Sequence, residues 1–408
     1  MKRALLILLS FGLVYSCCSR KPAAAPQSVI TGKISGPGDR PPALARVDLL
    51  EPDSLAPKRF QAAPDGSFSV TTPATGVIRL TFTGALHDSC SASLLLQKPS
   101  QVKLDARLQL YQWQDKIEEV KVIGDFNRFS RDVGFAIMVM QPDGTYAAEL
   151  GNLAGDKLGY QLVGLVKGSE RPVPGTQYDD MIFDARGSYV SRLAVHNGTV
   201  KIVFDPRRLP RGAAAAGVTF IDSGSEVARI AALERAMRAR EKGFFDASAR
   251  FRSSRSDTQE FHYDWSATVA DLKQQLDREQ DPTIRQMLFI SLLDLKRFEA
   301  QEIDAEVAKQ ALAAIPPDSL VWEVAPSLLF ESIRLAGGLG PYGNYFQTLV
   351  TAHPSRQVRA LALEQAYGDA MSVRDLARAK DYYKRLTAEF GDLAPGQRIK
   401  SQPPEPGR

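Results

Sequence analysis

Three cysteines (Cys17, Cys18 and Cys90) and four histidines are the first residues to ask about chemistry. Thiol–disulfide exchange needs an attacking thiolate and a resolving partner. Cys17 and Cys18 are adjacent, Cys90 stands alone in an apolar stretch, and no Cys-x-x-Cys occurs anywhere. His87, His196, His262 and His353 are far apart, and none sits in a metal-spaced cluster. Asp257, Glu260 and His262, with Tyr263 and Asp264 behind them, can be drawn as a site, but a polar segment between helices accounts for them more simply. Asp179-Asp180 is a carboxylate pair of the type that holds calcium, without the rest of a binding loop. Ser223-Gly224-Ser225 and Gly337-Gly338-Leu339-Gly340 lack the lysine or the strand context of a phosphate loop, and helix termination explains their glycines. No catalytic residue, metal ligand or cofactor is expected, and the chain is not expected to be an enzyme.

The elements that must position these residues are of two kinds. At 408 residues, the chain is long enough for about two or three domains. Its 44% apolar and 24% charged content is ordinary for globular proteins. Lys2 and Arg3 supply part of the +4 net charge, so the rest of the chain is nearly balanced. Leu5 to Val14 is an apolar run of about ten residues behind a basic start, the length of a signal-peptide core and too short to span a bilayer comfortably. From residue 28 to 110 short alternating segments are punctuated by turns such as Pro64-Asp65-Gly66, and residues 117–206 repeat that pattern. Asp205 to Gly217, rich in Pro, Gly and Ala, reads as a linker. From 222 to 395 the apolar period changes to about 3.6, as on helices. Asp281-Pro282 is a helix start, Trp322 to Leu335 is predicted as one helix, and Leu376, Ala379, Tyr383, Leu386 and Phe390 form one stripe on the last. Residues 396–408 are expected to be a disordered tail. The fold class predicted is multidomain β plus α: two β-sandwich modules followed by an α-helical domain.

Arg229 to Arg255 carries eight basic residues against three acids, interleaved with Phe244, Phe245 and Phe251. Two readings stay open: a surface for anionic lipid headgroups or an acidic partner, and a solvated helix face with the phenylalanines packed inward.

Val14-Tyr15-Ser16-Cys17 resembles the bacterial lipoprotein cleavage box. The resemblance implies that residues 1–17 are a signal peptide with its lipobox, that Cys17 (alternatively Cys18) carries the lipid, and that residues 18–27, including Lys21 to Gln27, are a tether. It implies an exported protein anchored to a bacterial membrane, at the outer membrane or the periplasmic face, with a protein partner at the envelope. Export argues against a nucleic-acid partner.

The Gly-x-Ile strand and Asp65-Gly66-Ser67-Phe68 resemble the small β-sandwich of many exported lipoproteins and of carboxypeptidase regulatory modules. Gly124-Asp125-Phe126-Asn127-Arg128-Phe129, Asp143-Gly144-Thr145-Tyr146 and Tyr160-Gln161-Leu162-Val163 resemble the immunoglobulin-like glycogen-binding module of isoamylases and AMP-activated kinases. That resemblance implies a glycan partner, with Phe129 stacking on a sugar. The family's second sugar-facing tryptophan would fall near Lys167 to Arg171, where there is no aromatic. Ala379-x-x-Tyr382-Tyr383-x-x-Leu386 resembles the second helix of a tetratricopeptide repeat. The whole order is similar to the region that precedes the thioredoxin domain in membrane-anchored thiol–disulfide reductases. Without Cys-x-x-Cys, reductase activity does not carry over. The chain is then expected to be a stand-alone adaptor built from those accessory parts, or the front portion of an interrupted gene.

Overall fold

Gln101–Arg107 alternates without a break: Val102, Leu104 and Ala106 point inward, and the four residues between them face solvent. That period of two makes strands of much of the first half of the chain. The computed structural model describes residues 26–177, 180–184, 187–212, 215–254, 261–401 and 403.

The first module runs through β1 (Ser28–Ser35), β2 (Arg46–Leu50), β3 (Lys58–Gln61), β4 (Ser67–Thr72), β5 (Gly76–Thr83), β6 (His87–Asp88), β7 (Cys90–Leu96), β8 (Gln101–Arg107) and β9 (Gln109–Leu110). The second runs through β10 (Lys121–Gly124), β11 (Ala136–Ile137), β12 (Val139–Met140), β13 (Tyr146–Leu150), β14 (Lys157–Val163), β15 (Asp180–Phe183), β16 (Tyr189–Ala194) and β17 (Val200–Phe204). In the second, a sheet of order β11-β10-β14-β16-β15 faces one of order β12-β13-β17. Tyr160, Leu162, Ile202 and Phe204 fill the space between them.

The stretch read as a linker leads back to the first module, and not directly on to the helices. After Phe204 the chain returns to the first module as β18 (Gly217–Phe220), which pairs antiparallel with β8, Gly217 opposite Arg107 and Phe220 opposite Leu104. The first sandwich is therefore a sheet of order β18-β8-β1-β4 over one of order β3-β2-β5-β7. The second module is an insertion between two neighbouring strands of the first.

The helical region follows: α1 (Glu226–Ser254), α2 (Ser266–Arg278), α3 (Pro282–Lys296), α4 (Ala305–Ala314), α5 (Ser327–Leu335), α6 (Leu339–Ala352), α7 (Arg356–Ser372), α8 (Leu376–Glu389) and α9 (Ala394–Lys400). Asp281 caps α3 by accepting from the backbone N–H groups of Thr283 and Ile284, which satisfies two orphan donors of the first turn. The helix expected over Trp322–Leu335 is broken. Leu320–Glu323 forms a 3-10 turn, and Pro326, which lacks an N–H, precedes a separate α5. Residues 396–400, expected in the tail, belong instead to α9, with Ile399 buried.

The first sandwich and the helices form one body. Leu94 and Leu96 of β7 face the sandwich core, while Leu95 between them faces the helical core. On α1, Ala228 and Ala231 belong to the sandwich core, and Ile230 and Met237 to the helical one.

Candidate functional site

Cys17 and Cys18 lie outside the described residues, as do Asp179, Asp257 and Glu260. The sequence placed candidate chemistry elsewhere in the second module, at Phe129, and the structure gives that motif's neighbours a mechanical task. Asp125 accepts a hydrogen bond from the Gly159 N–H at 2.7 Å. Asn127 accepts from the Gly124 N–H at 2.9 Å and donates to the carbonyls of Ser130 and Val133. Phe126 packs against the module core. Arg128 and Phe129 both adopt left-handed backbone, with φ of 56° and 59°. Phe129 is half-buried, and its N–H closes the turn onto the Gly124 carbonyl.

The region where a second sugar platform would stand is engaged in ion pairs, and through Arg171 it reaches the first module. Lys167 pairs with Asp115 at 2.6 Å and Arg171 with Asp88 at 2.6 Å. The Arg171 guanidinium also lies over the Tyr111 ring. Near it, Tyr189 donates to the Leu44 carbonyl, and Arg46 stacks on Phe183 at 3.5 Å from the ring centre. The loop expected to carry a sugar site thus belongs to the joint that fixes the inserted module to its host.

Asp180 holds Arg192 at 2.5 Å and Lys157 at 3.2 Å. His262 is exposed. Cys90 is the one described cysteine; burial raises its thiol to about 11, and it faces the Gly217 carbonyl. Along α1, Arg229 pairs with Glu279, Arg238 with Glu234, and Lys242 with Asp246. Phe244 packs on Trp265 and Phe298, while Phe245 stays exposed. Most of that basic run is spent on its own fold.

A concavity lies away from the residues singled out above. A cleft of about 380 Å³ opens between the first sandwich and the helices, lined by the loop after β2, by β5, by the 3-10 turn and by the start of α7. Three acids and one arginine line it, and they differ in how far they are satisfied. Asp53 caps α7: it accepts from the N–H groups of Arg356 at 3.0 Å and Gln357 at 2.9 Å. Glu51 accepts from Lys58 at 2.7 Å and Thr72 at 2.6 Å. Burial works against the Glu51 charge, but these two partners outweigh it and keep the carboxyl below its ordinary value. Glu323 has one partner, the Val77 N–H at 2.7 Å. Burial, with a smaller push from the Asp53 charge, raises its carboxyl to about 7. Gly76 makes room for it: φ is 98°, and a Cβ there would overlap the Glu323 carboxylate. The Arg79 side chain at the rim is exposed and has no hydrogen bond or ion pair with another described residue. Glu323 is thus a raised carboxyl with a single partner, set in a concave surface.

No family model and no curated protein matches the chain. Among solved structures, the Bacillus anthracis TIE protein is similar over 44% of this chain and 43% of that one, at 9% identity and a TM-score of 0.19. The chain spans less than half the length of that protein. Among the described residues, no helix is long and apolar enough to cross a membrane.

Proposed function

We infer that this is an exported bacterial lipoprotein that acts as a non-catalytic binding and scaffold protein at the cell envelope. The leader and the Val14-Tyr15-Ser16-Cys17 box support the address. The observation that carries the scaffold role is the shared packing of β7 and α1, which face the sandwich core and the helical core at once. A frame built that way holds its parts at fixed spacing, and the inserted module is fastened to it by the Arg171–Asp88 pair and the Tyr189–Leu44 hydrogen bond.

The test is lipidation in a bacterial host fed a labelled fatty acid. The wild-type chain should take up label and fractionate with membranes, and Cys17→Ser should do neither. Label lost only in Cys18→Ser would move the acceptor by one residue. A wild-type chain that stays unlabelled and soluble would overturn the assignment.

A further inference from the structure

Apolar side chains reach solvent together at one place on the inserted module. Ile137 is 53% exposed, Val139 65% and Met140 66%, and exposed Val133 stands a few residues before them. From Gly134 to Met140 no residue is charged. Soluble proteins usually interrupt such a run with charge or proline when it lies on a sheet edge. Here it forms an outer edge of both sheets of the module, first as β11 beside β10 and then as β12 beside β13. The joint to the host lies at the other end of the five-stranded sheet. There Tyr189 of β16 bonds to Leu44, and Phe183 of β15 lies under Arg46. The module is thus held by one edge and presents the opposite one.

The main chain at this edge says what kind of partner fits. Ala136 stands opposite Val122 and Ile137 opposite Lys121, and the Met138 N–H donates to the Val120 carbonyl. That phase turns the N–H and C=O of Ile137 away from β10, toward the open side. A strand laid alongside takes up both groups at once. The side chains supply a face for it. Phe135, Ile137 and Val139 alternate with Ala136 and the buried Met138, so they share the outer side of the strand.

An antiparallel copy centred on Ile137 matches this edge with itself. Ile137 meets its own counterpart, and Phe135 meets Val139 of the other copy, an aromatic against a β-branched residue. Arg131 lies six positions before Ile137 and Asp143 six after it, and both are exposed. The same register therefore brings opposite charges toward each other at each end. The Asp143 bonds to Thr145 both run through Oδ1. A partner strand of a single sign would meet one of these two charges with its like.

We propose that the chain forms a two-fold dimer by antiparallel pairing of this edge, Ile137 against Ile137 of a second copy, with the inserted modules joined and the two hosts outermost. The pairing does not depend on lipidation.

The experiment uses the full chain carrying Cys17→Ser and Cys18→Ser, which leaves Cys90 as its one thiol. Sedimentation equilibrium at micromolar concentration should give twice the chain mass. Ile137→Lys combined with Val139→Lys sets like charges against each other across the two-fold axis. It should raise the dimer dissociation constant at least tenfold while leaving the far-UV circular dichroism unchanged. Register is read by cysteine pairing. Opposed residues of a hydrogen-bonded pair have Cα atoms about 5.5 Å apart, within disulfide reach. Ile137→Cys should therefore give a disulfide-linked dimer under mild oxidation. Val139→Cys, on the order of 14 Å from its own copy, should not. A chain that stays monomeric would leave the edge to a different protein and overturn the proposal. Association that persists in the double lysine variant would overturn it too, since that variant keeps the apolar leader. So would Val139→Cys linking as readily as Ile137→Cys.

Discussion

Glu323 ties the sandwich to the helices through one hydrogen bond to Val77, across a sequence separation of 246 residues. Its carboxyl is raised from 4.5 to about 7 in the folded chain. Between those values the folded state holds a proton that the unfolded state has lost. Stability contributed at this residue is therefore full below pH 4.5 and declines as pH rises to about 7, where the folded form also ionises. At about 1.4 kcal/mol per unit, and allowing for partial exposure, the loss is on the order of 2–3 kcal/mol. Glu323→Gln should flatten this dependence, so that denaturant midpoints at pH 5 and pH 8 lie closer together than in the wild type. At Phe129 the expected outcome is negative. With the turn residues committed to backbone bonds and Arg171 to the module joint, the chain should not be retained on insoluble starch. Retention that Phe129→Ala abolishes would restore the glucan reading. Nothing in the sequence marks Glu323, Asp53 or Arg79, because each is an ordinary charged residue until the fold brings three distant segments to one cleft. The Gly-Asp-Phe-Asn motif was legible as a turn, and what its side chains bond to was not.

Strands and helices carry their reasons more locally. Asp281-Pro282 announces α3, and the cap is there with both expected N–H partners. Asp281→Ala should cost about 1 kcal/mol, read as a lowered denaturant midpoint with an unchanged m-value. The strands with clean alternation, β8 and β4, were readable for the same reason: one face is buried and the other is not. Less legible elements lacked a pattern of their own. β18 is only four residues after an alanine run, and α9 contains Pro395 and Gly396; tertiary pairing decides both. The break before α5 was signalled by Pro326, but the apolar residues on either side masked it. Where β1 runs parallel to β8, a Cβ on Gly32 would overlap the Leu104 carbonyl. Gly32→Ala should therefore push the two strands apart and destabilise the chain by several kcal/mol, on the scale of overpacking a core. The check is loss of cooperative thermal unfolding or a strongly reduced midpoint.

Across the molecule, the succession of β-rich and helical regions was evident from the switch in apolar period near residue 222. The nesting of one β module within another was not, because hydrophobic alternation says that a strand exists and never which strand it joins. The two connections to the inserted module lie close together: a Cβ on Gly212 would stand 3.9 Å from Leu110. Joining Tyr111 to Arg211 through a short glycine linker should therefore leave a folded sandwich-and-helix body, with far-UV circular dichroism of mixed β and α character and one cooperative transition. Deleting residues 217–220 instead should abolish that transition, although far fewer residues are removed. That contrast has a bearing on how the protein is made. As the chain emerges in order, β8 waits with an open edge until the inserted module has been synthesised in full, and the inserted module has every strand it needs before its host does. The host closes last, at β18, and α1 begins within a few residues of that closure. An edge left open for so long is a hazard for misassembly, so a chain stalled or truncated after the inserted module would present one folded part attached to an unfinished, aggregation-prone sheet.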